Sequence, residues 1–129
     1  MWRSAEESAD KSAFGRPSQV YQALLATKEV AEAYFKSKAT GNSMGPWEKA
    51  FGEKGFKYAA TESQNTMNMY GKDRVFVQKG RRLEMARHLT LGGGDRQNCL
   101  QIYFEVDEPR QRFVIGYCGM HLRYYGMTT

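Results

Sequence analysis

The sequence predicts an α+β fold, with N-terminal helices packed on one face of a roughly four-stranded antiparallel sheet. Apolar residues recur every three to four positions up to about residue 71 and every second position after Arg74. Gly and Pro clusters punctuate the second part at short, regular intervals, as hairpins require. At 129 residues, 41% hydrophobic and 13% aromatic, the chain is long enough for one core and too short for a multidomain machine.

Residues 1–16 are small and charged and run into Gly15-Arg16-Pro17, which predicts a flexible tail ahead of a single domain over 17–129. Val20, Leu24, Ala31, Tyr34 and Phe35 then recur at helical spacing between Ser18 and Lys38, and Thr40-Gly41-Asn42 ends the run. Ser43 can cap a second helix, with Pro46 in its first turn, Trp47 and Phe51 one turn apart, and Gly55 at its end. Phe56 and Tyr58 follow at strand-like spacing, and Thr61–Tyr70 predicts a short helix closed by Gly71, which completes a helical part over 17–71. Strands are expected at 74–78, 82–91, 98–106 and 112–118, with a C-terminal segment over 119–129. Pairing Phe104 with Phe113 aligns the apolar set Leu100, Ile102, Phe104 and Val106 with Phe113, Ile115 and Tyr117. That register sets Glu105 against Arg112 and Cys99 against Cys118, and leaves His88, Thr90, Gln101, Tyr103, Glu105 and Arg112 on the polar face.

No apolar run approaches the roughly 18 residues of a spanning helix, and the start is acidic where a signal peptide is basic and then apolar. Two cysteines are too few for a secreted disulfide scaffold, so a soluble, cytoplasmic protein with no membrane partner is expected. The net charge is +5, and it is unevenly placed. Residues 1–73 carry 10 basic and 9 acidic side chains, whereas 74–129 carry 9 basic, eight of them Arg, against 5 acidic. Guanidinium forks suit phosphate, so the surplus points to RNA or another phosphorylated partner.

Cleavage of RNA without a metal needs a base, an acid and a cation for the phosphorane charge. His88 and His121, with Tyr103 and Tyr124, are the candidate catalytic side chains, and Arg87, Arg112 and Arg123 the candidate phosphate binders. No cofactor and no metal is expected. Tyr103, Tyr117, Tyr124 and Tyr125 beside arginines suit base stacking or sheet packing equally.

The order of a basic strand, a Gly turn, Leu100-Gln101-Ile102-Tyr103-Phe104-Glu105-Val106, then Arg112-Phe113-Val114-Ile115-Gly116-Tyr117 and a terminal His-Tyr segment resembles the RelE/ParE superfamily of toxins over about 83–125. The resemblance implies a small antiparallel sheet on helices, a protein partner such as an antitoxin, and cleavage of ribosome-bound RNA by side chains at the sheet face and chain end. Members of that family commonly begin with a strand; this chain begins with helices. The alternative class is a non-enzymatic accessory module, phage or defence related, that binds protein or nucleic acid.

Three narrower motifs complete the set. His88-Leu89-Thr90-Leu91 resembles one of the two tetrapeptides of the 2H phosphoesterases, but His121-Leu122-Arg123-Tyr124 has Arg where the second Ser or Thr belongs. His88, Cys99 and Cys118 are zinc-ligating types on one expected face, and His121 three residues past Cys118 completes a Cys-x-x-His half-site, but His88 and Cys99 match no standard spacing for the other half. Gly92-Gly93-Gly94-Asp95-Arg96 lacks the Lys-Ser/Thr and the helix of a P-loop and reads as a hairpin loop.

Overall fold

In the computed structural model, which describes residues 1–11, 15–93 and 96–127, the helical periodicity becomes α1 (Arg3–Lys11), α2 (Pro17–Ala39), α3 (Trp47–Glu53) and α4 (Gln64–Tyr70). The strands are β1 (Lys57–Ala59), β2 (Val75–Gln78), β3 (Arg81–Glu84), β4 (Arg87–Gly92), β5 (Cys99–Asp107) and β6 (Arg112–Met120). They form a four-stranded antiparallel sheet in the order β1-β4-β5-β6 and a separate β2-β3 hairpin, so the α+β class holds.

Pro17 starts α2, where a missing N–H costs nothing, and Ala23, Ala26, Thr27 and Val30 form its buried stripe. Gly55, at φ +88°, takes the left-handed conformation after α3, and Ser63 Oγ caps α4 by accepting from Thr66 N at 3.1 Å. The main core joins the α2 stripe and Phe51 to Tyr58, Leu89, Leu91, Leu100, Ile102 and Phe104 on one sheet face. Burial of each large apolar side chain there contributes about 1.5–3 kcal/mol.

The opposite face is not open. A second core of Trp2, Phe76, Met85, Tyr103 and Val114 lies there, with Leu83, Tyr117 and Leu122 packed against it.

The first eleven residues, expected as a loose tail, are tied down. Trp2 and Ala5 are buried, Trp2 N donates to Ile115 O at 2.7 Å, and Ser4 Oγ donates to Gly116 O. Ser8 Oγ accepts from Cys118 N at 2.9 Å. α1 thus covers the outer edge of β6, its two serines one turn apart meeting edge groups that a further strand would otherwise pair. Residues 12–14 of the expected tail, like Gly94 and Asp95 of the glycine loop, lie outside the described residues.

The expected strand 82–91 divides at Met85, whose side chain is fully buried and whose N–H donates to Arg74 O at 2.7 Å, so β3 and β4 enter different sheets. The β5–β6 hairpin forms with a register two residues away from the expected one near its turn, where Phe113 faces Val106 and Arg112 faces Asp107 rather than Glu105, and three residues away beyond a bulge, where Cys118 faces Ile102 rather than Cys99. A two-residue slip keeps every side chain on its face, so alternation alone does not distinguish the two registers. A bulge between Tyr103/Tyr117 and Phe104/Ile115 leaves Gly116 unpaired. It places Cys118, not Tyr117, with Phe113 and Ile115 against the main core, and turns Tyr117 into the second core.

Candidate nucleic-acid interface

His88 on β4 and Tyr103 on β5 are directly opposed, so their rings stack at 4.6 Å and 19°. Glu62, from the loop before α4, and Arg74, ending the 3-10 turn Gly71–Arg74, close over them. Arg74 Nε donates to Glu62 Oε2 at 2.8 Å, Tyr103 OH donates to the same oxygen at 3.1 Å, and His88 Nε2 lies 3.3 Å from Oε1. Arg74 Nη1 donates to Tyr70 O and Arg123 O. Nη2 touches Glu62 off-line and is the buried side-chain polar atom without a hydrogen-bond partner among the described residues.

Ala86 O can only accept, so His88 Nδ1 carries the proton that spans their 2.8 Å contact. Burial, together with the charges of Arg74 and His121, holds the imidazole pKa below its ordinary 6.5 against the opposing pull of Ala86 O and Glu62. Burial also raises the Tyr103 pKa, which keeps its proton on the bond to Glu62. His121 and Tyr124 meet in the segment after β6, rings 4.8 Å apart, with Arg96 Nε donating to His121 O at 3.0 Å. Of the four candidate catalytic side chains, two thus form one buried cluster and two a neighbouring ring pair. Tyr103 and Arg74 have no exposed surface, and the C-terminal segment is bonded across them through Arg123 O and through Leu122 N, which donates to Gln101 Oε1 at 2.8 Å.

The three candidate phosphate binders have different surroundings. Arg123 donates from Nε and Nη2 to both oxygens of Asp73 at 2.8 Å and lies over the Tyr70 ring. Arg87 Nε donates to Glu105, its Nη1 donates to Tyr58 OH, and its guanidinium sits 4.6 Å from the Trp47 ring centroid. Arg112 shares a carboxylate with two arginines not singled out in the sequence. Arg81 Nη1, Arg110 Nη1 and Arg112 Nε lie 3.1, 3.3 and 3.6 Å from Asp107 Oδ2. The Asp107 side chain is 1% exposed, whereas those of Arg110 and Arg112 are over half exposed. Burial alone would raise the Asp107 pKa; the Arg110 hydrogen bond and the Arg81 charge outweigh it and hold the carboxyl below its ordinary 3.8.

Three guanidiniums on one carboxylate leave a local charge of +2, beside Lys79 and Arg82 of the adjoining hairpin. The sequence signal was present, since both turns, Lys79-Gly80-Arg81-Arg82 and Arg110-Gln111-Arg112, are arginine-flanked. What it lacked was the packing that brings them to one end of the fold.

On the other side of the β5 end lies a cleft of about 810 Å³, lined by Tyr34, Trp47, Tyr58, Arg87 and the carboxylates Glu48, Glu105 and Glu108. Glu108 accepts from Tyr34 OH at 2.6 Å and pairs with Lys38 at 2.8 Å. Among the described residues, no group of three or more His, Cys, Asp and Glu side chains could hold a metal ion. Cys99 and Cys118 are free thiols, Cys118 with its pKa pushed up to about 11 by burial. No helix is long and apolar enough to cross a membrane among the described residues. Compared with known protein families, with curated proteins and with solved structures, the chain matches none.

Proposed function

We propose that the protein binds RNA through the arginine end of its sheet, as a non-catalytic accessory module. The observation that carries this reading is the convergence of Arg81, Arg110 and Arg112 on Asp107 Oδ2. Asp107 neutralises one of the three, orients their planes and leaves a cationic end suited to two or more phosphates. Binding is favoured over cleavage because His88 and Tyr103 are engaged with Glu62 inside the second core, where a phosphodiester reaches them only if the C-terminal segment lifts.

The test is anisotropy of a labelled ten-nucleotide oligouridylate titrated across salt concentrations. Affinity falls with salt at a slope of about 0.7 per phosphate contact, and Arg110→Ala/Arg112→Ala flattens that slope by about 1.4. Arg81 remains to neutralise Asp107 in that variant, so the fold is kept. The oligonucleotide is recovered intact. Absence of binding, an unchanged slope, or cleavage lost in His88→Ala overturns the reading.

A further inference from the structure

We infer that the cleft beside the arginine end holds a single unstacked guanine base of the bound strand. The inference rests on the RNA-binding reading and adds a sequence preference to it.

The cleft is built on a column of flat groups. Phe104 stacks on Phe113 at 5.4 Å and 16°, Phe113 lies 5.1 Å from Trp47 at 31°, and the Arg87 guanidinium caps Trp47. Both Trp47 and Arg87 line the cleft. A guanidinium held in this way has a fixed plane, so its remaining N–H can meet the edge of a nucleobase. It is a poor neighbour for a second cation, because Arg87 already occupies the cationic seat over Trp47.

The charges narrow the ligand further. Glu105 is paired with Arg87 and Glu108 with Lys38, so two of the three carboxylates are compensated. Glu48, exposed in the first turn of α3, has no ion pair among the described residues. Arg87 uses Nε on Glu105 and Nη1 on Tyr58, which leaves Nη2 as the nitrogen engaged by neither. A carboxylate without an ion pair and a guanidinium nitrogen not spent on Glu105 or Tyr58, on two residues that line one cleft, match a ring with two adjacent donors and an acceptor.

Guanine has that pattern: N1–H and the N2 amino group meet one carboxylate in a bidentate pair, and O6 or N7 accepts from arginine. Adenine and cytosine offer one amino donor beside an acceptor, and uracil a single N–H between two carbonyls that a carboxylate repels. The placement of the strand agrees. Val106 and Glu108 line the cleft and Asp107 between them anchors the arginines, so phosphates on the cluster bring the flanking base to the slot.

The experiment compares a ten-nucleotide oligouridylate with the same strand carrying one central guanine, inosine or adenine, read by anisotropy and by quenching of tryptophan fluorescence. The guanine strand binds about ten-fold tighter than the oligouridylate, as one bidentate base contact predicts. Inosine, lacking the N2 amino group, loses most of that gain and adenine all of it. Glu48→Gln brings the guanine-to-uridine ratio to about one, and its exposed position keeps the fold intact. Equal affinity for the guanine and uridine strands, with salt-dependent binding retained, overturns the guanine assignment alone. Failure of every strand to bind overturns the RNA reading with it. Quenching by arginine amide, with none by guanosine monophosphate, assigns the cleft to a cationic side chain of a protein partner and likewise overturns the assignment.

Discussion

Replacing Glu62 with Gln keeps the volume of the side chain and removes the carboxylate paired with the fully buried Arg74. In the native cluster Glu62 Oε2 takes Arg74 Nε at 2.8 Å and Tyr103 OH at 3.1 Å, while Oε1 faces His88 Nε2 at 3.3 Å. An amide can keep its oxygen toward Arg74 and Tyr103 and turn its NH₂ toward the His88 lone pair, so most hydrogen bonds survive and the loss is chiefly that of charge. Removing one partner of a buried pair costs about 3–5 kcal/mol, and the surviving hydrogen bonds place this variant near about 3. A domain of this length has about 6–19 kcal/mol in total, so the loss is readable in urea unfolding followed by circular dichroism. At about 4 °C per kcal/mol, Tm falls by about 12 °C. Glu62→Met/Arg74→Met replaces both charges with apolar bulk but leaves Tyr70 O and Arg123 O without their donor and Tyr103 OH without its acceptor, at about 1–3 kcal/mol each, so it is expected to cost at least as much as the single change. A loss below about 1 kcal/mol in Glu62→Gln refutes the account of the cluster as a compensated buried charge.

Other parts of the fold give independent checks. His88 has a folded-state pKa below its ordinary 6.5, so the unfolded chain takes up the proton first. Stability present above that value is therefore lost as the pH falls through the folded-state pKa, and His88→Gln removes this component of the pH dependence. A Cβ at Gly116 would stand 2.8 Å from Met85 Sδ and 2.9 Å from the Phe76 ring, so Gly116→Ala is expected to cost about 1–3 kcal/mol in the same unfolding assay. Ser8→Ala leaves Cys118 N without its acceptor and should cost about 1–3 kcal/mol; hydrogen exchange at that amide rises if α1 guards the β6 edge.

What could be read from the sequence was what depends on neighbours along the chain. The helical span of α2, the short helix before Gly71 and the apolar face of Leu100, Ile102 and Phe104 are local patterns, and each is in the fold; the stripe that α2 buries is Ala23, Ala26, Thr27 and Val30, while the expected Val20, Leu24, Ala31, Tyr34 and Phe35 are half-buried beside it. The register of β5 on β6 is not local, because Phe113 satisfies its face equally against Phe104 or Val106. The bulge leaves Gly116 packed against Phe76 and Met85, residues 40 and 31 positions earlier in the chain, a neighbourhood no local pattern reveals. The helix α1 was hidden for a related reason. Its small polar composition suits a tail until Ser4 and Ser8 are seen to serve the edge of a strand more than 100 residues away.

The charge behaves in the same way. Composition located the arginine surplus after residue 74 but could not say which arginines are already matched. Arg74, Arg87 and Arg123 each have a carboxylate of their own, in Glu62, Glu105 and Asp73, and two of those three acids lie before residue 74. Once these pairs are set aside, the excess narrows to the end where Arg81, Arg110 and Arg112 share Asp107. Glu62 carried no signal at all, a lone acid in a polar loop, yet it ties His88, Tyr103 and Arg74 together. Of the residues singled out for chemistry, His88 and Tyr103 therefore meet at the carboxylate that compensates a buried cation. The proposed RNA surface rests on Asp107, which among the described residues holds three arginines on one carboxylate.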